Sequence, residues 1–297
     1  MSEYQGPMEP WPDLVSYARQ VHLPESDGSL FLFDAGPADA VPALLIHGLG
    51  DEADTWRHLI PSLSNQCHVL APDLPGFGRS APLQQGHGIP SYVQVLTELL
   101  DMQGLGRVAL IGHSLGGIVA QSMALAVPER VERLVLIGGS LVARKQKIGL
   151  STILFLIPGL GEWLYSGLRR NPDAAYRTLY PYYNDLDALP EADRAFLYQR
   201  VNERVWSDKQ RRAFLSIYRH LARWLPAQQR TLEDRLGVFH VPTTAIWGEV
   251  DQVNDVANGH ALVELQPTAH LVVVPGGGHN VQQERPEAVL EAILDDA

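Results

Sequence analysis

The sequence is short of cysteine, with one residue, Cys67, in 297. A single cysteine cannot form a disulfide bond within the chain, which excludes a fold stabilised by intramolecular disulfides. The apolar neighbours of Cys67 in QCHVLAPD (66–73) favour a buried strand residue over a reactive thiol. Stability therefore has to come from a hydrophobic core.

Positive charge is also scarce, since 23 lysines and arginines face 34 aspartates and glutamates and the net charge is -11. A chain of that charge is repelled by phosphate backbones, and it carries no basic motif interleaved with aromatic residues. Nucleic acid is excluded as an expected partner.

Long uninterrupted apolar runs are missing. The longest, at 148–165, contains Pro158 and reaches Glu162 before it approaches the roughly 20 apolar residues of a bilayer span. The amino-terminal stretch MSEYQGPMEPWPDL is acidic and broken by prolines, with neither a basic segment nor the apolar stretch of a leader. These features predict a cytoplasmic protein without a transmembrane segment.

Cofactor and metal motifs are missing as well. The stretch HGLGDEAD does not fit G-x-G-x-x-G, and the chain has no P-loop. The 11 histidines do not fall at the spacings of metal ligands. The sequence predicts neither an organic cofactor nor a metal.

Eight short apolar runs recur along the chain. From the third onward they are continuous rather than alternating, as strands covered on both faces must be. Helical patterns at 90–102, 114–127 and 285–296 lie between or after the later runs, which indicates parallel βαβ units. We predict an α/β fold with a mostly parallel eight-stranded sheet flanked by helices, whose first two runs form a hairpin; the runs are 19–23, 29–36, 43–48, 68–73, 108–113, 133–139, 243–248 and 270–276.

The alternation is interrupted between residues 140 and 240, where only helical patterns occur. Ser207-x-x-Gln210 has the pattern of a capping box, and apolar residues at three- and four-residue spacing follow it. We predict an inserted helical cap, 140–240, on a core made of 1–139 and 241–297. The cap carries a net charge of +6 and the core -17.

The stretch GHSLGG (112–117) lies between an apolar run and a helical pattern. A serine used as a nucleophile has to leave the plane of the sheet, and a tight strand-to-helix turn does this only if the residues two before and two after it are small. Gly112, Ser114 and Gly116 have that spacing. Ser114 is therefore our candidate nucleophile.

A serine hydroxyl needs a base, and the base needs an acid that orients it. The apolar run TTAIWG (243–248) is followed by EVDQVND, where Asp251 is the candidate acid. Its rivals are Glu249, which follows the strand too closely, and Asp255, which is expected to lie in the next helix. His279 follows the last run and a glycine-rich turn, so it is the candidate base.

A tetrahedral intermediate also needs donors for its oxyanion. The backbone N–H of Leu115, directly after the candidate nucleophile, is one candidate. The loop HGLGDEADTW (47–56) follows the third run, and the N–H of Leu49 is the other.

With these residues the chain resembles the α/β-hydrolase fold family. The matching stretches are HGLG (47–50), DLPGFGRS (73–80), GHSLGG (112–117), WGEVD (247–251) and GGGHNVQQERPE (276–287). The resemblance implies the same nucleophile, acid and base, makes Asp73 a loop-orienting residue and gives His113 no part in proton transfer. A serine at 114 separates the chain from the similar haloalkane dehalogenases and epoxide hydrolases, which attack with a carboxylate.

The leading hypothesis is a serine hydrolase that cleaves carboxylic esters through an acyl-enzyme. Perhydrolases, lactonases and carbon–carbon bond hydrolases in the family have the same motifs and stay open as alternatives, because the pocket decides among them. A small-molecule receptor is the third hypothesis, and the intact set of Ser114, Asp251 and His279 argues against it.

The cap offers the only indication of a substrate. Its run ILFLIPGLGEWLYSGL (153–168) is too apolar for an exposed loop, so it either covers the catalytic mouth, faces a partner or forms the cap's own core. The first case favours an apolar, lipid-like ester. The arginines of the cap favour transient contact with an anionic membrane surface, or merely solvate helix faces.

Overall fold

The computed structural model describes residues 3–84, 86–145 and 150–295. Some sequence predictions fall partly outside them: the first two residues of the amino-terminal stretch, the beginning of the apolar run 148–165, the end of the predicted helix 285–296, and parts of the predicted segments 1–139, 140–240 and 241–297.

The strands form one eight-stranded sheet in the order β1-β2-β4-β3-β5-β6-β7-β8. β2 is antiparallel to β1 and to β4, and the other neighbours are parallel. The predicted α/β fold, its strand number and its first hairpin are thereby confirmed. The strands are β1 Ala18–Leu23, β2 Gly28–Ala35, β3 Val41–Ile46, β4 Cys67–Pro72, β5 Val108–His113, β6 Val131–Ile137, β7 Thr243–Gly248 and β8 Ala269–Val274.

Helices follow most of the parallel strands and lie on both faces of the sheet. The α-helices are α1 Ile60–Leu63, α2 Ile89–Met102, α3 Leu115–Ala126, α4 Leu150–Leu156, α5 Leu160–Gly167, α6 Pro172–Arg177, α7 Glu191–Trp206, α8 Asp208–Gly237, α9 Ala257–Leu265, α10 Val281–Glu284 and α11 Pro286–Leu294. Short 3-10 helices cover Glu3–Gln5, Pro12–Tyr17, Ala53–Trp56, Pro128–Arg130, Leu168–Arg170, Tyr180–Tyr182 and Leu186–Ala188.

The central strand β5 shows why its apolar run is continuous. Val108 and Leu110 pack into the core formed with α2, α3 and α9, whereas Ala109 and Ile111 pack into the core on the α1 and α11 face. Successive strand residues point to opposite faces, so a strand covered on both sides needs an apolar residue at every position. Cys67, at the start of β4, is buried as predicted.

The described part of segment 140–240 contains helices α4 to α8 and no strand, and below we use the word cap only as a name for this segment. Helix α8 begins as its sequence indicates, with the Ser207 side chain accepting the N–H of Gln210 at 3.3 Å. Its apolar stripe packs on the core through Ile217 and Leu225, with Phe214 beside them. Among the helices that the structure describes, none combines the length and apolar character that a bilayer span requires.

Candidate active site

Three side chains form one hydrogen-bonded chain at the carboxyl edge of the sheet. The Ser114 hydroxyl donates to His279 Nε2 at 2.9 Å, and His279 Nδ1 donates to Asp251 Oδ2 at 2.8 Å. The other Asp251 oxygen accepts the backbone N–H groups of Val253 and Asn254, both at 2.8 Å. The carboxylate is thereby held in place, and it orients the imidazole toward the hydroxyl.

The sheet order explains how residues 165 positions apart meet. β5, β6, β7 and β8 are consecutive parallel neighbours, so their carboxyl ends lie along one edge. Ser114 follows β5, Asp251 follows β7 and His279 follows β8. Ligands and reacting groups in open α/β sheets lie at this edge.

Both rival acids bind backbone N–H groups. Glu249 accepts the N–H of Gly276 at 3.0 Å and Asp255 accepts the N–H of Ala257 at 3.0 Å. Asp255 was expected inside the helix, which is wrong: α9 begins only at Ala257. Its carboxylate instead satisfies a free N–H at the start of that helix.

The backbone at Ser114 is strained, with φ 52° and ψ -115°. A non-glycine residue with positive φ is uncommon and costs on the order of 1–3 kcal/mol. The flanking glycines are required because a Cβ on Gly112 would collide with the Gly116 carbonyl, and one on Gly116 with the Ile46 carbonyl. The strain sets the hydroxyl above the sheet.

The two predicted oxyanion donors are both free to bind a ligand. Among the described residues, no acceptor receives the backbone N–H of Leu49 or of Leu115. Leu49 lines the cavity at Ser114, and the turn after it depends on Gly50, whose φ is 70°. A carbonyl oxygen bound beside Ser114 would meet N–H donors without displacing a protein acceptor.

His47 supports the loop that carries Leu49. Its Nε2 accepts the N–H of Leu74 at 2.8 Å, so the proton of the neutral ring is on Nδ1, which donates to the Gly48 carbonyl at 2.8 Å. Burial lowers the pKa of His47, which keeps the ring neutral.

Asp73 has the loop-orienting contacts that the resemblance implied. It is buried and accepts the N–H of Ala53 at 2.8 Å and that of Arg79 at 2.7 Å. Its carboxylate also binds the Arg79 guanidinium. Burial opposes ionisation of Asp73, but Arg79 outweighs it and lowers the pKa.

A cavity of about 570 Å³ opens at the Ser114 hydroxyl between the sheet edge and the cap. Its wall is mainly apolar, with phenol rings among the lining side chains. Tyr182 packs against the His279 ring at 5.8 Å between ring centroids, and Tyr218 stacks on Phe214 at 5.7 Å. The apolar side chains from the cap include Phe155, Leu168, Leu179, Val201, Val205 and Phe214.

The family model for the alpha/beta hydrolase fold matches residues 42–286. The chain belongs to the alpha/beta hydrolase fold family. It is 30% identical over 284 residues to 2-hydroxy-6-oxononadienedioate/2-hydroxy-6-oxononatrienedioate hydrolase 2 of Pseudomonas putida, an alignment that covers 91% of this chain and 92% of the relative.

Solved structures of the same fold are similar over most of the chain. A 2-hydroxy-6-oxo-6-phenylhexa-2,4-dienoate hydrolase from Rhodococcus sp. superposes with a TM-score of 0.76 at 22% identity, covering 94% of this chain and 98% of its own. A bacterial membrane phospholipase A superposes with a TM-score of 0.71 at 27% identity, covering 94% and 86%. The hydrolase fold is shared among proteins whose named substrates differ.

In this alpha/beta hydrolase a buried ion network that the sequence analysis missed joins the cap to the loop after Leu49. Arg204 of α7 donates to Asp51 at 2.5 Å and to both oxygens of Glu52 at 2.7 and 2.8 Å. Arg200, one turn earlier, lies 3.4 Å from Glu52. The sequence shows Arg200 and Arg204 at i and i+4, but no sequence pattern pairs Arg204 with Glu52 and Asp51, which lie 152 and 153 positions away.

Burial and ion pairing compete within this network. Burial raises the pKa of Glu52 to about 7, although Arg204 and Arg200 act to lower it. Burial also opposes ionisation of Asp51, but Arg204 outweighs burial and lowers the pKa of this carboxyl. Arg204 is the cation that binds both carboxylates of the network, and Arg200 adds a longer contact with Glu52.

His113, next to the nucleophile, donates from Nε2 to the His279 carbonyl at 3.0 Å. Burial, followed by the nearby His279 ring, lowers its pKa to about 3 from 6.5. A base whose pKa is lowered on folding contributes stability above pH 6.5 and loses it as the pH falls toward the folded value.

As the pH is lowered from 6.5 to 4.5, we therefore expect protonation of this one group to reduce the free energy of unfolding by about 1.4 kcal/mol per pH unit. Urea unfolding at several pH values measures the slope in wild type and in His113→Gln. The variant should lose stability less steeply below pH 6.5. Equal slopes would contradict the assignment of His113 as a neutral buried base.

Proposed function

We propose that this alpha/beta hydrolase cleaves neutral, largely apolar carboxylic esters through an acyl-enzyme. The observation that carries the proposal is the hydrogen-bonded chain from Ser114 through His279 to Asp251, which opens on a mainly apolar cavity. An ester carbonyl in that cavity would lie between the hydroxyl and the free N–H groups of Leu49 and Leu115.

In the acylation half-reaction, Ser114 Oγ attacks the ester carbonyl carbon while its proton passes to His279 Nε2. Asp251 stabilises the imidazolium that forms. The N–H groups of Leu49 and Leu115 bind the oxyanion. The intermediate then collapses, the C–O bond to the alcohol breaks, and His279 returns the proton to the leaving oxygen.

In the deacylation half-reaction, water replaces the alcohol. The water attacks the acyl carbon while His279 Nε2 takes a proton from it. The N–H groups of Leu49 and Leu115 bind the oxyanion of the second tetrahedral intermediate. Its collapse breaks the bond to Ser114 Oγ, which recovers its proton from His279. The carboxylic acid leaves and the enzyme is restored.

The charges around the cavity favour a neutral substrate. The cations among its described lining residues are Arg204 and Lys145. Arg204 already binds Asp51 and Glu52, and Lys145 pairs with Asp255 at 2.7 Å. An anionic substrate would face the Asp51 carboxylate and would have to break an existing pair to gain a counter-charge.

Carbon–carbon bond hydrolysis is the second candidate, because the relative at 30% identity is a hydrolase whose named substrate contains no ester bond. That name specifies a dioate, a substrate with two carboxylates. The paired cations of the cavity argue against such a dianion here. The phospholipase similarity is consistent with an ester, since a phospholipase A acts on a carboxylic ester.

A substrate series tests the proposal. We expect kcat/KM for p-nitrophenyl esters to rise by about fourfold for each added methylene from acetate onward until the cavity is filled, because each buried CH₂ contributes about 0.8 kcal/mol. The mono-p-nitrophenyl ester of adipic acid matches the hexanoate in chain length but carries a carboxylate. Its kcat/KM should be lower by about 100-fold or more.

The same assay separates the alternatives. A preference for acetate would contradict the apolar acyl site. A faster reaction with the anionic ester, together with turnover of a 2-hydroxy-6-oxo-dienoate, would favour the second candidate. Ligand binding without turnover of any ester or dienoate would remove both.

A further inference from the structure

The helices α4 and α5 form a hairpin whose inner side belongs to the cavity. Phe155 and Tyr165 both line it, and both contact Phe214 of α8, at 6.3 and 5.5 Å between ring centroids. The two helices are joined by a turn at Pro158 and Gly159. The inner face of the hairpin is therefore packed against the rest of the cap.

The outer face of the same hairpin is apolar and open. Ile153, Ile157 and Trp163 are 48%, 44% and 70% exposed. Ile153 and Trp163 each lie two residues from Phe155 or Tyr165 in the same helix, and residues two apart in a helix are separated by about 200°, so these two exposed side chains point away from the cavity. Ile157 lies directly after α4, in the connection to α5. An exposed tryptophan beside two isoleucines is a feature that solvent disfavours.

A stripe of arginines on α8 lies beside this hairpin. Arg212, Arg219 and Arg223 are spaced by seven and four residues, which places them on one side of the helix over about 17 Å. Arg219 contacts the hairpin directly, donating to the Ile157 carbonyl at 3.3 Å and to Glu162 at 2.7 Å. In the described part of the chain, Arg212 and Arg223 are exposed and form no ion pair.

From this arrangement we infer a docking surface for anionic lipid, formed by Ile153, Ile157 and Trp163 with Arg212 and Arg223. Tryptophan and isoleucine side chains insert into the boundary between headgroups and acyl chains, and arginines bind the anionic headgroups. The occupant is the surface of an anionic bilayer. A second copy docked by the same face is disfavoured, because it would bring together two caps that each carry a net charge of +6.

Docking there would bring the cavity close to lipid, because the hairpin's inner side chains line that cavity. The inference does not depend on ester hydrolysis, since binding is measured without turnover. The suitable protein is the Ser114→Ala variant, which leaves the vesicles chemically intact.

The experiment is cosedimentation of Ser114→Ala with vesicles of phosphatidylcholine alone or with 30% phosphatidylglycerol. We expect binding to the anionic vesicles only, weakened in 0.5 M salt. Adding Arg212→Gln and Arg223→Gln should weaken it by about fivefold for each arginine. Adding Trp163→Ala and Ile157→Ala should weaken binding to the anionic vesicles by about tenfold or more.

Matched controls come from elsewhere on the surface. Val238 is as exposed as Trp163, at 70%. Arg107 is an exposed arginine that lies outside segment 140–240. Val238→Ala and Arg107→Gln should bind vesicles as the parent does, and thermal unfolding checks that all variants fold. Equal binding to both vesicle types, or equal losses in the controls, would overturn the inference. So would a concentration-dependent dimer that Trp163→Ala abolishes, which would assign the face to a second copy.

Discussion

Replacing Ser114 with alanine is expected to lower kcat for ester hydrolysis by about a millionfold, the loss typical of removing such a nucleophile. The structure places the Ser114 hydroxyl 2.9 Å from His279 Nε2. Without it no acyl-enzyme forms, and any remaining rate comes from water activated by the base and from the oxyanion donors. Steady-state hydrolysis of a p-nitrophenyl ester measures the loss.

Ser140 provides the matched control. It is buried and lines the same cavity, but its hydroxyl accepts the Val142 N–H at 3.2 Å and, among the described residues, forms no hydrogen bond with His279. Ser140→Ala should retain kcat within about tenfold and should still react with a fluorophosphonate probe. Labelling of Ser114→Ala, or equal activity of the two variants, would place the nucleophile elsewhere.

Replacing Arg204 with methionine is expected to lower the free energy of unfolding by about 3–5 kcal/mol. Removing one partner of a largely buried ion pair leaves uncompensated charge. Here Asp51 loses its counter-ion, and Glu52 keeps only Arg200, 3.4 Å away. Methionine is close in volume, so the loss reports charge more than packing. Chemical denaturation measures it.

The pH dependence of that loss tests its cause. Without Arg204 the pKa of Glu52, which burial already raises to about 7, rises further, and that of Asp51 rises as well. Stability that the protonated acids contribute at low pH is then lost as the pH increases. The destabilisation should therefore be larger at pH 8 than at pH 5. Adding Asp51→Asn and Glu52→Gln to the methionine variant should recover most of the stability and remove this pH dependence.

An exposed pair serves as the reference. Arg144 and Glu264 lie 2.8 Å apart with side chains 54% and 64% exposed. Solvent screens such a pair, so Arg144→Met should cost about 1 kcal/mol or less. A similar cost for the two arginine variants, or no recovery in the triple variant, would contradict the role given to the buried network.

Much of this fold could be predicted because each local pattern had one satisfactory arrangement. Continuous apolar runs such as 108–113 require cover on both faces, and the glycines around Ser114 require a tight turn. The position of Asp255 was predicted incorrectly, because where a helix begins after a strand depends on which side chain caps it. Sequence pattern locates such boundaries only to within a few residues.

The cap was harder to interpret, since its apolar residues serve two surfaces. The sequence left open whether 153–168 covers the mouth, meets a partner or packs internally. The structure divides it: Phe155 and Tyr165 face the cavity, while Ile153 and Trp163 face solvent. Composition alone could not make that division, because both sets are apolar.

The sequence by itself determined the α/β order of elements and the three strand ends that carry Ser114, Asp251 and His279. These follow from short-range constraints: apolar periodicity, glycine positions and the turn that each strand needs. Only the tertiary structure decided the pairing of Arg204 with Asp51 and Glu52, the charge state of the cavity and the exposed face of the cap. Those depend on contacts between segments far apart in the chain, where burial changes the energy of a charge and local pattern carries no information about the partner.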